Sequence, residues 1–187
     1  MIRVFSMNRL LLSFLACSVI FSFNPNLLAE SPLLESGKTR DALDAMQGKT
    51  APKLALKEWI NSKPLDLDAL KGKIVVLDFW ATWCGPCLRA VPHTNEMNQK
   101  YAREGVVIIG VCNKRGAEKM ADTVKKHGIE YPVAVDDGTN ASYRVNSFPD
   151  YYVIDRHGIL RWADVANKDV EKAIEILLRE QPGKGKK

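Results

Sequence analysis

VVLDFWATWCGPCLRAVP, Val75 to Pro92, joins an apolar run to two cysteines spaced two residues apart, and a single acid, Asp78, interrupts the run. Taken from Ile74, the run to Trp80 has the length and β-branched content of a buried strand. The cysteines then open a helix expected to reach about Arg103. A C-x-x-C on the first turn of a helix has a physical purpose. Free N–H groups and partial positive charge at the helix N-terminus stabilise a thiolate on Cys84, while Cys87 lies one turn on, within disulfide reach. Arg89 either adds positive potential or is a solvated helix residue. An unpaired buried carboxylate is costly, so Asp78 is either paired with a lysine at a strand end or functional.

Working outward, Lys53 to Leu56 reads as a strand and NSKPLDLDALKGK as a loop. Gly105 to Val111 reads as a second buried strand. Ala117 to His127 places Ala117, Met120, Ala121 and Val124 on one face and stops at Gly128, as a helix with a glycine stop does. YPVAVDDG gives a short strand and a turn; YYVID and ILRWADV form a hairpin across DRHG, with His157 as a turn residue. Asn167 or Asp169 is expected to cap a last helix with Val170, Ala173, Ile174, Leu177 and Leu178 on its apolar face. Strands alternating with helices and ending in a hairpin predict an α/β fold, a mixed central sheet flanked by helices.

DFWATWCGPC, with Pro92 after it, closely resembles the active site of thioredoxin, and GKIVVLDFWATWCGPCLRAVP resembles the exported oxidoreductases of the TlpA and ResA type. The resemblance covers most of Ala51 to Glu180, because YRVNSFPDYYVIDRHGIL is similar to the family's cis-proline strand and hairpin. It implies a thioredoxin fold with an N-terminal strand extension, and dithiol-disulfide exchange with protein substrates without a metal or organic cofactor. Cys84 matches the attacking cysteine, Cys87 the resolving one and Pro149 the cis-proline beside the disulfide. Asp78, six residues before Cys84, matches the family's buried acid, which would exchange a proton with Cys87. Trp83, Pro86, Phe148 and Pro149 would form the substrate-binding lip.

The chain departs from that pattern at three positions. Ala90 stands where many relatives carry a glutamate, so Asp78 would serve alone. Phe148 precedes the proline where a small or β-branched residue is more usual, and Asp150 follows where threonine is common, which alters the lip.

Rival chemistries fit less well. A peroxidatic P-x-x-x-T-x-x-C would place proline and threonine where the chain has Leu77 and Ala81. Copper delivery in another thioredoxin-fold branch uses C-x-x-x-C, one residue longer. Zinc would draw on Cys84, Cys87, Cys112 and His93, without the second close pair that a structural site normally shows. Cys112 reads as a small buried hydrophobe and Trp80 as a core residue. A non-catalytic binding module is the remaining alternative, and the intact cysteine pair argues against it.

The 187 residues, 46% hydrophobic and 26% charged, suit one domain with a sizeable core. Arg3 and Arg9 precede the apolar run Leu10 to Phe23 and Ala29 follows, the layout of a secretory signal, short of the ~20 apolar residues of a membrane-spanning helix. Cys17, in FLAC, only loosely matches a lipoprotein processing site. The expected organisation is a signal or N-terminal anchor over 1–29, a leader over 30–50 with a short helix near Thr39 to Gln47, the domain over 51–181 and a basic tail over 182–187. Without Arg3 and Arg9 the net charge falls from +5 to +3, and Lys184, Lys186 and Lys187 account for that remainder. A near-neutral domain lacks the basic stripe that nucleic acid requires. Export would place the protein in the periplasm or another extracytoplasmic space, with the N-terminus as candidate tether and a membrane thiol carrier as upstream electron donor.

Overall fold

The computed structural model describes residues 33–35 and 40–180; the signal segment and the basic tail lie outside them. Six strands, β1 (Leu56–Ile60), β2 (Ile74–Trp80), β3 (Val106–Cys112), β4 (Val133–Asp136), β5 (Asp150–Ile154) and β6 (Leu160–Val165), form one sheet in the order β1-β4-β3-β2-β5-β6. β2, β3 and β4 run parallel, and β1, β5 and β6 join antiparallel. The helices are α1 (Arg40–Asp44), α2 (Gly85–Tyr101), α3 (Met120–His127), α4 (Thr139–Ser142) and α5 (Val170–Arg179). This is the mixed sheet with flanking helices and an N-terminal strand that the sequence predicts.

All seven residues of β2 are buried, because it lies inside the sheet and is covered on both faces. Alternation sends Ile74, Val76 and Trp80 into one core with Cys87, Val91 and Met97 of α2, Val124 of α3 and Ile174 of α5. Val75, Leu77 and Phe79 enter the other, with Leu43, Tyr143, Tyr152 and Leu160. Each such apolar side chain contributes about 1.5–3 kcal/mol on full burial, so β2 is the strand that locks both layers. The connections from β2 through α2 to β3 and from β3 through α3 to β4 join parallel neighbours, and both helices pack on the first core.

Several boundaries differ from the sequence reading. The first strand is Leu56–Ile60, not Lys53 to Leu56: the Ala55 N–H donates to the Thr139 hydroxyl, and the Ala55 carbonyl accepts from that hydroxyl and from the Asp137 N–H. α2 stops at Tyr101, short of Arg103, where the chain tightens into a 3₁₀ turn ended by Gly105 at φ 84°. Ala117–Lys119 is likewise a 3₁₀ turn before α3, and Ala121 is exposed. The leader helix is only Arg40–Asp44. Asp169 stands at the N-cap position of α5 but makes no side-chain cap bond, and the helix is entered through the 3₁₀ turn Asn167–Asp169. α4 was not expected; Asp136 accepts the N–H groups of Gly138 and Asn140 and turns the chain into it.

The leader runs along the outer side of β6. Glu35 N–H donates to Asp164 O at 3.0 Å, Ala166 N–H to Leu33 O at 2.7 Å, Gly48 N–H to Leu160 O at 2.8 Å and Leu160 N–H to Lys49 O at 2.9 Å. Between these ends Arg40 reaches the Ala163 carbonyl at 3.0 Å.

Candidate active site

Cys84 is the N-cap residue of α2 and Pro86 lies in its first turn, where a missing N–H leaves no bond unmade. Cys84 and Cys87 form a disulfide, and Cys84 Sγ accepts the Cys87 backbone N–H at 3.2 Å. Both cysteines are nearly covered, at 4% and 5% exposure, while Gly85 and Pro86 are exposed. Reagents therefore meet the pair from the helix tip. The Arg89 guanidinium folds back towards this tip, with Nη1 3.4 Å from where a Cβ on Gly85 would lie.

Trp83 is 53% exposed, the outstanding apolar surface of the region. Its ring meets Phe148 edge-on at 5.8 Å, its Nε1–H donates to Arg115 O at 2.9 Å, and the Arg115 guanidinium stacks over it at 5.5 Å. Gly116 makes this fit: at φ 84°, a Cβ there would meet Thr82 Oγ1 at 2.7 Å and Trp83 Cδ1 at 3.1 Å. The Phe148–Pro149 peptide bond is cis, and the next residue, Asp150, pairs with Phe79 of β2. Trp83 thus meets Phe148, which packs against the core cluster that includes Cys84 and Cys87.

Asp78 is 4% exposed and shares its face of β2 with Val76 and Trp80, the face turned to the core that includes Cys87. Its partner is no lysine: the Tyr131 hydroxyl donates to Oδ2 at 3.1 Å, and Oδ1 has no hydrogen-bond partner. Tyr151 stands directly across the ladder. Burial pushes the Asp78 carboxyl up to about 7, and the Tyr131 and Tyr151 hydroxyls pull the other way. A carboxyl so placed is poised to gain or lose a proton near neutral pH.

Cys112 is fully buried at the end of β3, its thiol pushed up to about 12 by burial. His93 is on the exposed side of α2 beside Glu96. Among the described residues, no group of three or more His, Cys, Asp or Glu side chains is placed to hold a metal ion. Sequence reasoning missed Tyr131, Tyr151 and Arg115. The glycines Gly110 and Gly116 were the available signals, since glycine inside a strand or tight loop marks a close approach.

The AhpC/TSA family model matches residues 47–163. The thiol-disulfide oxidoreductase ResA of Bacillus cereus is 36% identical over 136 residues, covering 72% of this chain and 73% of that protein. ResA relatives of Bacillus thuringiensis and Bacillus anthracis are matched over 65% of their length. Protein DipZ of Mycobacterium tuberculosis is 38% identical over 142 residues, which are 70% of this chain but 20% of DipZ. Among solved structures, a Chlorobium tepidum protein described as a thiol:disulfide interchange protein DsbE superposes with a TM-score of 0.64 at 29% identity, covering 71% of this chain and 97% of that one. With Leu77 and Ala81 where a peroxidatic motif needs proline and threonine, and a closed C-x-x-C at the helix tip, the chain belongs to the AhpC/TSA family as a thioredoxin-fold thiol-disulfide oxidoreductase.

Proposed function

We propose that the protein reduces disulfides of other proteins outside the cytoplasm, with Cys84 as the attacking thiol, Cys87 as the resolving thiol and Asp78 as the acceptor of the Cys87 proton. The supporting observation is Cys84 Sγ at the α2 N-cap, accepting the Cys87 N–H. In the reduced protein that N–H and the helix N-terminus stabilise a thiolate. The thiolate attacks one sulfur of the substrate disulfide, the S–S bond breaks, and the departing substrate sulfur takes up a proton. Cys87 then gives its proton to Asp78 and attacks Cys84 Sγ; the second substrate sulfur leaves and is protonated. Two electrons have passed to the substrate, and Cys84–Cys87 is left as the disulfide seen here.

Trp83, Pro86 and Phe148 offer the substrate a lip, and the backbone before Pro149 offers hydrogen bonds to an extended peptide. Turnover then needs two electrons from an upstream dithiol carrier, for which a membrane protein is the natural source. The apolar run Leu10 to Phe23 supports export or tethering. Among the described residues no helix is long and apolar enough to cross a membrane.

The reducing direction rests on Gly85-Pro86, the pair found in thioredoxin, whose potential is about −270 mV against about −120 mV for a strong oxidant. Equilibration with glutathione should give a value nearer the first, and one above roughly −150 mV would overturn the direction. A Cys87→Ser variant should accumulate mixed disulfides through Cys84. If it traps none from extracytoplasmic proteins while wild type reduces none in an insulin assay, the exchange reading fails in favour of a non-catalytic module.

A further inference from the structure

Asp78 has one sheet neighbour on each side, and the two are unlike. On β5 it faces Tyr151; on β3 it faces Gly110. A Cβ on Gly110 would lie 2.7 Å from Val133 Cγ1 and 3.1 Å from both Trp80 Nε1 and Tyr131 Cε2. Glycine is needed here for space, since these approaches are closer than a Cβ tolerates. Tyr131 occupies the room that a side chain at 110 would take, and it is fully buried there.

The segment carrying Tyr131 is fastened on both sides. From the end of β1, Asn61 Nδ2 donates to the carbonyls of Ile129 at 2.7 Å and Tyr131 at 3.1 Å. From α2, Asn95 accepts the Glu130 N–H at 3.0 Å and donates to the Gly128 carbonyl at 2.7 Å. The tyrosine hydroxyl is thus delivered to Asp78 Oδ2 by rigid elements, with little left to order when the carboxylate charges.

We propose that Tyr131, reaching across Gly110, is a positioning residue for Asp78: its hydroxyl holds Oδ2, leaves Oδ1 unengaged for the Cys87 proton, and favours the charged carboxylate. The inference rests on the reading of Asp78 as proton acceptor. The polar groups that bear on this carboxyl are the hydroxyls of Tyr131, ahead of β4, and Tyr151, on β5. Thr94 is buried and bears on both tyrosine hydroxyls. Among the described residues no Lys, Arg or His forms an ion pair with Asp78, so hydroxyls alone oppose the effect of burial. Burial and the Asp78 charge push the Tyr131 hydroxyl well above its ordinary range, which keeps it a donor. Without that donor a larger share of the carboxyl would keep its proton at neutral pH, and that share could not take another.

The test uses Tyr131→Phe in the full chain, which keeps the ring, and a second protein with 2,3-difluorotyrosine at 131, a stronger donor of nearly the same shape. Asp78 is titrated directly by carboxyl ¹³C NMR, and resolution of a pre-formed mixed disulfide is followed against pH. Phenylalanine should raise the Asp78 midpoint by about one pH unit, the scale of one hydrogen bond to a charged group, and move the rate profile to higher pH by the same amount. Difluorotyrosine should move both the other way. An unchanged Asp78 titration in both proteins overturns the inference even if Asp78 is the proton acceptor. A shifted titration with an unmoved rate profile overturns it through the reading on which it rests. Adding Tyr131→Phe to Asp78→Asn should leave the rate profile where the single Asp78→Asn variant has it, and a further shift there would also refute it.

Discussion

Two aspartates on neighbouring strands, Asp78 and Asp150, are almost equally buried, at 4% and 3% exposure, yet they are surrounded in opposite ways. Asp78 is met by neutral hydroxyls that favour its charge. Asp150, one residue after the cis-proline, is met by other acids: burial pushes its carboxyl up first, and the charges of Asp164 and Glu35 push it further, opposed only by Tyr152. Arg40 lies 3.9 Å from Asp164. Burial raises both carboxyls, to about 7 and about 8; hydroxyls oppose the rise at Asp78, whereas neighbouring acids add to it at Asp150. Only Asp78 has a part in the proposed exchange.

The largest expected effect separates the two directly. Asp78→Asn should slow resolution of the mixed disulfide at neutral pH on the order of 10²-fold, the low end of general-base contributions, while attack by Cys84 changes less. Stopped-flow traces that resolve the two steps will show this. Since the substitution removes a buried carboxyl with one unpaired oxygen, stability should be equal or higher. Unchanged resolution together with lost stability would make Asp78 a purely structural acid.

Next in size is a pH-dependent gain from Asp150→Asn. The folded-state carboxyl of Asp150 is raised above its unfolded value, so unfolding releases a proton. Stability is therefore fully present below about pH 4 and is lost as pH rises towards about 8. The variant should escape that loss, with a gain on the order of 1–3 kcal/mol at pH 8 and little at pH 4 in denaturant titrations. Resolution kinetics should hardly move. If Asp150→Asn slows resolution as much as Asp78→Asn, the contrast between the two acids collapses.

The smallest effect concerns Cys112, a third buried titratable group on the sheet. With its thiol pushed up to about 12 and no exposure, it should resist alkylation in the folded protein. Cys112→Ala should keep exchange activity and cost on the order of 1 kcal/mol or less of stability. Rapid labelling of Cys112, or loss of turnover in the stable variant, would bring it into the chemistry.

What the sequence made legible was local in character. β2, the start of α2 and the cysteine pair were all readable because strand burial, the proline-bearing first turn and the C-x-x-C spacing lie within fourteen residues. Asp78 was readable as an anomaly in an apolar run. Its partner was not: Tyr131 is 53 residues away and arrives only through the pairing of β4 with β3. A lysine partner was the reasonable expectation for a buried acid, and nothing in YPVAVDDG marks its tyrosine as different from a core aromatic. The β1 offset has the same origin, since Thr139 captures Ala55 from 84 residues on.

The leader along β6 bears on how the protein behaves in a crowd. An outer strand with open N–H and C=O groups is a template on which another chain can build, and proteins with such strands aggregate edge to edge. Here the Leu33–Glu35 segment and the Gly48–Thr50 turn take up both ends of that row, and Arg40 takes a carbonyl between them. Asp164, at φ 60°, breaks the pleat at the same place. At the other margin, β1 is five residues long, irregular in register and interrupted by Glu58 at φ 53°. Neither margin offers a flat row of groups, so a foreign strand finds no edge on which to extend this sheet.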